Sequence, residues 1–84
     1  MRGIFVRSRA VSSSTQIYVE LIDEAVLVWR PVQAVHLRDS VYRISTQDYD
    51  REDETWEFEP GDVVRCENVN SSDGPILVAI ERAT

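Results

Sequence analysis

Two residues decide whether this chain can perform nucleophilic catalysis: its single cysteine, Cys66, and its single histidine, His36. A reactive cysteine needs a lowered thiol pKa, which a histidine, a helix N-terminus or a cationic pocket supplies. In the stretch "VVRCEN", Cys66 shares an alternating face with Val64, whereas its neighbours Arg65 and Glu67 point to the opposite face. The pattern predicts a buried thiol on the core face. The thiol is also predicted to be inert, because no activating group is near it in the sequence and His36 could approach it only through the tertiary fold.

The sequence gives no better support to serine-based catalysis or to a bound cofactor. The serines at positions 12 to 14, 71 and 72 lie in predicted loops and lack the pattern of a nucleophile elbow. One cysteine cannot form an internal disulfide, and one histidine cannot build a histidine metal site. We therefore predict that the protein is not an enzyme and carries no cofactor.

A calcium site is the remaining metal hypothesis, and it depends on the acidic segment "DYDREDETWEFE". Its carboxylates partly match the first, third, fifth, seventh and twelfth positions of a calcium-binding loop, at Asp48, Asp50, Glu52, Glu54 and Glu59. The sixth position is Asp53 instead of the glycine that the sharp turn of such a loop requires. We predict a solvated acidic loop without a specific metal site, and a metal-responsive protein is an alternative.

Aromatic residues beside this loop could form a recognition surface. In SH3-like folds, aromatic side chains next to acidic residues form a groove for proline-rich or arginine-bearing segments, or a cage for a methylated cation. Trp56 alternates with Phe58 and is predicted to lie in the core. Trp29 either faces a partner or packs over a barrel end.

The predicted binding surface combines aromatic residues with the acidic loop. Its members are Tyr18, Trp29, Arg30, Tyr42, Tyr49, Asp48, Asp50, Glu52, Asp53 and Glu54. Arg30 has a structural alternative, which is an ion pair with a carboxylate such as Glu20 or Asp23.

The charge of the chain is unevenly distributed. All nine basic residues are arginines, and fifteen carboxylates outweigh them to give a net charge of -6. Residues 1–15 carry three of the arginines and no acid, so the rest of the chain has a net charge of -9. A body this acidic repels nucleic acid, whose binding depends on arginine and lysine neutralising phosphates. Cationic partners are favoured instead.

Apolar residues alternate with period two from Gln16 onward, which predicts β-strands. Strands are predicted in "QIYVELID", "VYRIST", "TWEFE", "VVRCEN" and "PILVAIER", and "AVLVWRPVQAVHL" is predicted to form one bent strand or two strands hinged near Arg30 and Pro31. The segments "RDS", "EPGD" and "NSSDGP" are predicted turns or loops. The predicted inward residues at the two ends of the barrel domain are Ile17, Val19 and Leu21, and Ile76, Val78 and Ile80.

This pattern predicts an all-β fold, a small SH3-like barrel of five to six mostly antiparallel strands over residues 16–84. Eighty-four residues suffice for a single core. Residues 1–15 are predicted to be a flexible arginine- and serine-rich tail, with an edge strand at Ile4 to Val6 or an organelle-targeting segment as alternatives. The sequence shows neither a membrane-spanning segment nor a secretory signal, and it predicts a soluble cytoplasmic protein.

Four segments also carry a resemblance. The runs "YVELIDE", "VWRPVQAVHL", "VYRI" and "WEFEPGDVVRCE", in that order, resemble a family of short, uncharacterised bacterial proteins with the same Trp-Arg-Pro-Val and Trp-x-Phe-x-Pro-Gly-x-Val-Val-Arg-Cys-Glu elements. The likeness covers Tyr18 to Glu67 and implies no activity. More loosely, "VWRPVQAVHLRDSVYRIS" is similar to the second and third strands of Tudor and other SH3-like domains.

Together these features predict a noncatalytic protein-interaction module, an acidic β-barrel that binds a basic segment of another protein. One alternative is an acidic, immunity-like antagonist that blocks the basic site of a nuclease or toxin, with carboxylates in place of phosphates. A homodimer is a further alternative, because open barrels leave edge strands that can pair. Neither nucleic acid nor a membrane is predicted as a partner.

Overall fold

The computed structural model describes residues 14–83, and this part of the chain folds into six β-strands without a helix. The strands are β1 (Ser14–Ile22), β2 (Trp29–Arg38), β3 (Val41–Ile44), β4 (Thr55–Trp56), β5 (Val63–Ser71) and β6 (Gly74–Arg82). Within these residues, therefore, nothing forms a helix long and apolar enough to span a bilayer. The predicted tail and its alternative strand at Ile4 to Val6 lie outside the described residues, except Ser14 and Thr15, which begin β1.

Five of the strands close into a ring. Neighbours in the series β1, β2, β3, β5 and β6 pair antiparallel, and β6 then meets β1 in a parallel pairing at Tyr18 and Val78. The closing pair has to be parallel, because four reversals of direction leave the fifth strand running with the first. The two residues of β4 pair with Leu21 and Ile22 at the end of β1. The fold is the small, mostly antiparallel β-barrel that the sequence predicts.

Alternate side chains of the strands fill the interior of the barrel. The buried apolar residues are Ile17, Val19, Leu21, Val32, Ala34, Ile44, Trp56, Phe58, Val64, Cys66, Val78 and Ala79. The predicted inward faces of β1, of β5 and of the segment around Trp56 are confirmed. Among residues 14–83 no polar or charged residue is buried. The barrel is thus stabilised by apolar packing, at about 1.5 to 3 kcal/mol for each large side chain removed from water.

The prediction for the segment before Trp29 was wrong, since residues 25–28 form a loop and β2 is one continuous strand. Asp23, directly after the last residue of β1, has a φ of 68° and turns the chain out of the strand. Val26 and Leu27 in the loop are 71% and 62% exposed. No hinge is needed at Pro31. Gln33 directs its N–H and C=O to the side chain of Gln47 at an edge that β3 does not cover. Pro31, two residues earlier, faces the same edge, where its missing donor costs nothing.

The segment "NSSDGP", predicted as a loop, is a tight turn between two long strands. β5 continues to Ser71 and β6 begins at Gly74, whose φ is 105°. The Ser71 hydroxyl donates to the Gly74 carbonyl oxygen over 2.7 Å, and the Asp73 N–H donates back to the Ser71 hydroxyl over 3.2 Å. The turn closes the hairpin with only Ser72 and Asp73 between the strands.

The predicted inward face of β6 was wrong at Ile76 and Ile80. Ile76 is only half-buried, while its neighbour Leu77 packs against the core, and Ile80 is 39% exposed. In the hairpin, Cys66 pairs with Ala79 and Arg65 pairs with Glu81, so β6 carries one extra residue at this point. Ala79 points inward because it stands opposite the buried Cys66, so its neighbour Ile80 points outward. Ile80 is the extra residue of the bulge and has no partner on β5.

Candidate functional site

The structure separates the ten predicted binding residues into four groups. The first lines an outer cavity, the second surrounds Trp56, the third packs against the core, and the fourth is exposed in the acidic loop. In that order the groups are Tyr18 and Trp29; Arg30, Tyr49 and Glu54; Tyr42; and Asp48, Asp50, Glu52 and Asp53.

The outer cavity lies on the surface of β1 and β2. Tyr18 points outward because it alternates with the buried Ile17 and Val19. Trp29 stands opposite Glu20 in the antiparallel pair, so both occupy the same outer face as Tyr18. The turn between β5 and β6 reaches the same place. The resulting cavity, here called the aromatic cleft, has a volume of about 290 Å³ and is lined by Tyr18, Trp29, Ser71, Ser72, Asp73 and Ile76.

The aromatic cleft has an acidic surrounding. Among residues 14–83, its lining includes the Asp73 carboxylate and no arginine. Glu20 adds a second carboxylate opposite Trp29, and Glu57 donates its N–H to the Glu20 carbonyl oxygen over 2.9 Å. Partial burial and, secondarily, the charge of Glu20 raise the pKa of Glu57, while Arg82 acts in the opposite direction. Two aromatic faces beside several carboxylates suit one guanidinium or ammonium group, and the volume is at the lower end for a ligand pocket.

We expect Glu57→Gln to stabilise the protein at neutral pH. A carboxyl group whose pKa is raised in the folded state disfavours folding once it ionises, so the penalty is absent below its ordinary pKa of 4.5 and grows as pH rises through the raised value. The variant should lose that part of the pH dependence. Urea unfolding midpoints between about pH 4 and about pH 8 measure it. The exposed Glu24→Gln in the β1–β2 loop is the control, and a lower midpoint for Glu57→Gln at neutral pH would contradict the prediction.

The second group forms the Trp56 cap, which consists of Trp56, Tyr49, Glu54 and Arg30. The rings of Tyr49 and Trp56 stack with centroids 4.3 Å apart, and the Trp56 backbone N–H donates to the Tyr49 hydroxyl oxygen over 2.7 Å. The indole N–H of Trp56 donates to Glu54 over 2.9 Å. Tyr49 and Glu54 thus fasten the acidic loop over the core, which is a structural role.

The ion-pair partner of Arg30 is Glu54, at 3.6 Å. The structural alternative of an ion pair with a carboxylate is therefore confirmed, but Glu20 and Asp23 were the wrong partners. The reason lies in the register of the first two strands. Arg30 stands opposite the buried Val19 and therefore faces the barrel end beneath the acidic loop, whereas Glu20 faces outward.

The exposed carboxylates of the acidic loop are partly used in the turn itself. Asp50 accepts the N–H groups of Glu52 and Asp53 over 3.1 and 3.3 Å. A side-chain hydrogen bond with Asp50, together with the charge of Asp50, raises the pKa of Asp53. Nowhere in residues 14–83 do three or more histidine, cysteine, aspartate or glutamate residues come close enough to hold a metal ion.

Tyr42 lies apart from these groups and packs against the core. It stacks on His36, with ring centroids 4.7 Å apart. The Nε2 of His36 lies 2.7 Å from the Asp39 carbonyl oxygen, which can only accept, so this nitrogen donates and holds the ring at the β2–β3 turn. Tyr42 and His36 form a structural pair.

Cys66 is buried, as predicted, with 2% of its surface exposed. Burial raises the pKa of the thiol to about 11, against a smaller lowering by Arg65. The side chain therefore lacks the activation that a nucleophile requires. The absence of enzymatic activity stays a prediction.

Sequence reasoning missed the contribution of the β5–β6 turn and its flanking strand residues, namely Ser71, Ser72, Asp73 and Ile76, the last of which was predicted to point inward. The Asp-Gly dipeptide at Asp73 and Gly74 is a hairpin signal that could have indicated the tight turn. Its approach to Trp29 depends on how the barrel closes, which local patterns do not reveal.

Comparison with protein families, curated proteins and solved structures finds no match to this chain. What the protein binds must therefore be inferred from the chemistry of its own surface.

Proposed function

We propose that this barrel is a noncatalytic protein-interaction module whose aromatic cleft binds an arginine- or lysine-bearing segment of another protein. The observation that carries the proposal is the composition of the cleft: Tyr18 and Trp29 form aromatic walls, Asp73 supplies a carboxylate, and the described part of the chain contributes no arginine to the lining. A cation over an aromatic face is attracted by the ring quadrupole, and a nearby carboxylate adds charge complementarity.

The surrounding charge supports this proposal. Residues 14–83 contain six arginines and fifteen carboxylates. The ion pairs in this part of the chain engage four of the arginines and only five of the carboxylates. Ten carboxylates therefore have no arginine partner within the described range. Such a field attracts basic segments and accelerates their encounter, particularly at low salt.

Like charges also crowd at two places on the surface. Partial burial and then the charge of Glu20 raise the pKa of Glu57, and a side-chain hydrogen bond with Asp50 and then the charge of Asp50 raise the pKa of Asp53. In the folded protein the two carboxylates of each pair repel each other, and a bound cation relieves that repulsion. Binding of a basic segment is therefore favoured by more than its contacts in the cleft.

Fluorescence anisotropy with labelled peptides of about ten residues tests the proposal, with arginine, lysine or glutamate on a serine-glycine background. We expect the wild-type protein to bind the arginine and lysine peptides, and to bind them more weakly at roughly 200 mM than at 50 mM salt. Trp29→Ala should weaken binding about 3- to 30-fold, the range for loss of one cation–π contact. Asp73→Asn should weaken binding by a smaller factor.

Two control variants match these changes outside the cleft. Leu27→Ala removes an exposed apolar side chain of the β1–β2 loop, and Asp39→Asn neutralises a carboxylate in another tight turn. Neither should change affinity more than twofold, roughly the effect of one distant surface charge. Full affinity of Trp29→Ala would contradict the proposal. If affinity is lost only when Asp48, Asp50, Glu52 and Asp53 are neutralised, the acidic loop is the interface, as expected of an antagonist of a nuclease or toxin.

A further inference from the structure

The arginine-bearing segment that precedes the barrel has the chemistry of a ligand for the aromatic cleft. Residues 1–13 contain Arg2, Arg7 and Arg9 and no carboxylate, whereas the described body has a net charge of -9. The segment joins the barrel at Ser14, the first residue of the strand that also carries Tyr18. The Ser14 hydroxyl donates to the Gln33 side chain over 2.7 Å, which fixes the point of attachment on the β1–β2 surface.

The lengths of chain allow this segment to reach the cleft. Tyr18 lies four residues along β1 from Ser14, a distance of about 13 Å at ~3.3 Å per residue. Arg9 lies five positions before Ser14, and an extended chain over those five steps spans up to about 17 Å. A chain that reverses direction before Ser14 can therefore place the Arg9 guanidinium at Tyr18. Arg7, two residues further away, has the additional length needed to reach Trp29.

We infer that the segment from Arg2 to Arg9 binds the aromatic cleft of its own chain and competes there with basic segments of other proteins. This inference rests on the proposed function and adds a means of regulating it. A short tether gives an effective concentration in the millimolar range. If one arginine contact dissociates at about 1 mM, competition lowers the apparent affinity for external ligands by roughly three- to tenfold. Only partners whose affinity is high enough to displace the segment from Arg2 to Arg9 bind in the aromatic cleft.

Deletion of residues 1–13 tests the competition. With the arginine peptide as probe, the shortened chain should bind about three- to tenfold more tightly than the full chain, since the internal competitor is gone. The double variant Arg7→Ser, Arg9→Ser should reproduce most of that gain. Its matched control is Arg38→Ser, Arg43→Ser, which removes the same charge from the exposed β2–β3 region. An equal gain in the control would show a general charge effect and overturn the inference.

Paramagnetic relaxation provides a direct readout that needs no external ligand. A nitroxide on Ser8→Cys should broaden the indole N–H signal of Trp29 and the amide signals of Ser72 and Asp73. The indole signal of Trp56, which is buried in its cap, is the internal reference. Wild-type protein treated with the same reagent controls for labelling of the buried Cys66.

The outcomes separate the inference from the proposed function. Spin-labelled chains are mixed with isotope-enriched chains that carry no spin label. Broadening of the Trp29 signal that stays confined to the spin-labelled chains supports binding within the same chain. Broadening on the unlabelled chains would show that a second copy supplies the segment and would overturn the inference as stated. No broadening and no gain on deletion, with peptide binding intact, refutes the inference and leaves the proposed function standing. Failure of every variant, including the chain without residues 1–13, to bind peptide refutes the proposed function and the competition with it. The relaxation result then still decides whether the segment from Arg2 to Arg9 occupies the aromatic cleft.

Discussion

Trp56→Ala should lower the free energy of unfolding by about 3 to 5 kcal/mol, the range for truncating a large aromatic side chain in a core. The side chain is only 4% exposed and stacks on Tyr49. Its removal leaves a cavity and takes away the donor that Glu54 accepts from. The acidic loop then loses two of its attachments to the barrel, the ring stacking and the indole hydrogen bond. Urea unfolding followed by circular dichroism measures the change without depending on tryptophan fluorescence.

A second substitution at the same position separates packing from hydrogen bonding. Trp56→Phe keeps a ring against Tyr49 but has no indole N–H for Glu54, so it should cost less than the alanine variant, with about 1 kcal/mol due to the lost hydrogen bond. Leu27→Ala, in the exposed loop, should stay within about 0.5 kcal/mol of wild type. A loss below about 1 kcal/mol for Trp56→Ala would mean that the cap does not anchor the loop.

The native Cys66 thiol should react with a maleimide or an aromatic disulfide at least about 100-fold more slowly than in the protein unfolded by urea. A pKa of about 11 in place of the ordinary 9.0 leaves roughly 100-fold less thiolate at neutral pH, and the thiolate is the reacting form. Burial then restricts access to what remains. The labelling rate, followed by mass spectrometry with and without urea, checks this expectation.

The pH dependence of this group has a definite sign. Because burial raises the thiol pKa, ionisation destabilises the folded state as pH rises from 9.0 towards about 11. Cys66→Ala should remove that loss. The engineered Ser8→Cys variant serves as a positive control for reagent activity. Immediate labelling of the native wild-type protein would contradict the buried thiol and reopen the question of a cysteine nucleophile.

Much of the fold could be predicted, since each strand has one face towards the core. The alternation of Ile17, Val19 and Leu21 identified β1, and that of Val64 and Cys66 identified β5. In a half-buried strand with alternating residues, only one of the two faces is apolar, so that face must be the buried one. The same argument placed Trp56 in the core.

The errors concern features that depend on the partner strand or on distant loops. Ile80 points outward because its neighbour Ala79 stands opposite the buried Cys66 of β5, and no pattern within β6 alone reveals this register. The pairing of Arg30 with Glu54 depends on where the acidic loop folds. The aromatic cleft likewise needs the β5–β6 turn beside Trp29. Tyr18 and Trp29 could be named in advance, but their shared cavity could not.

The parallel contact between β1 and β6 also has a consequence for biogenesis. It joins Tyr18 to Val78, near opposite ends of the described chain, so the barrel has a high share of contacts between residues distant in sequence. Topologies of this kind fold in milliseconds to seconds, because a long loop must close before its contacts form. During synthesis on the ribosome, β1 cannot complete its pairing until β6 has emerged. Until then, the unpaired edge of β1 is exposed to other chains.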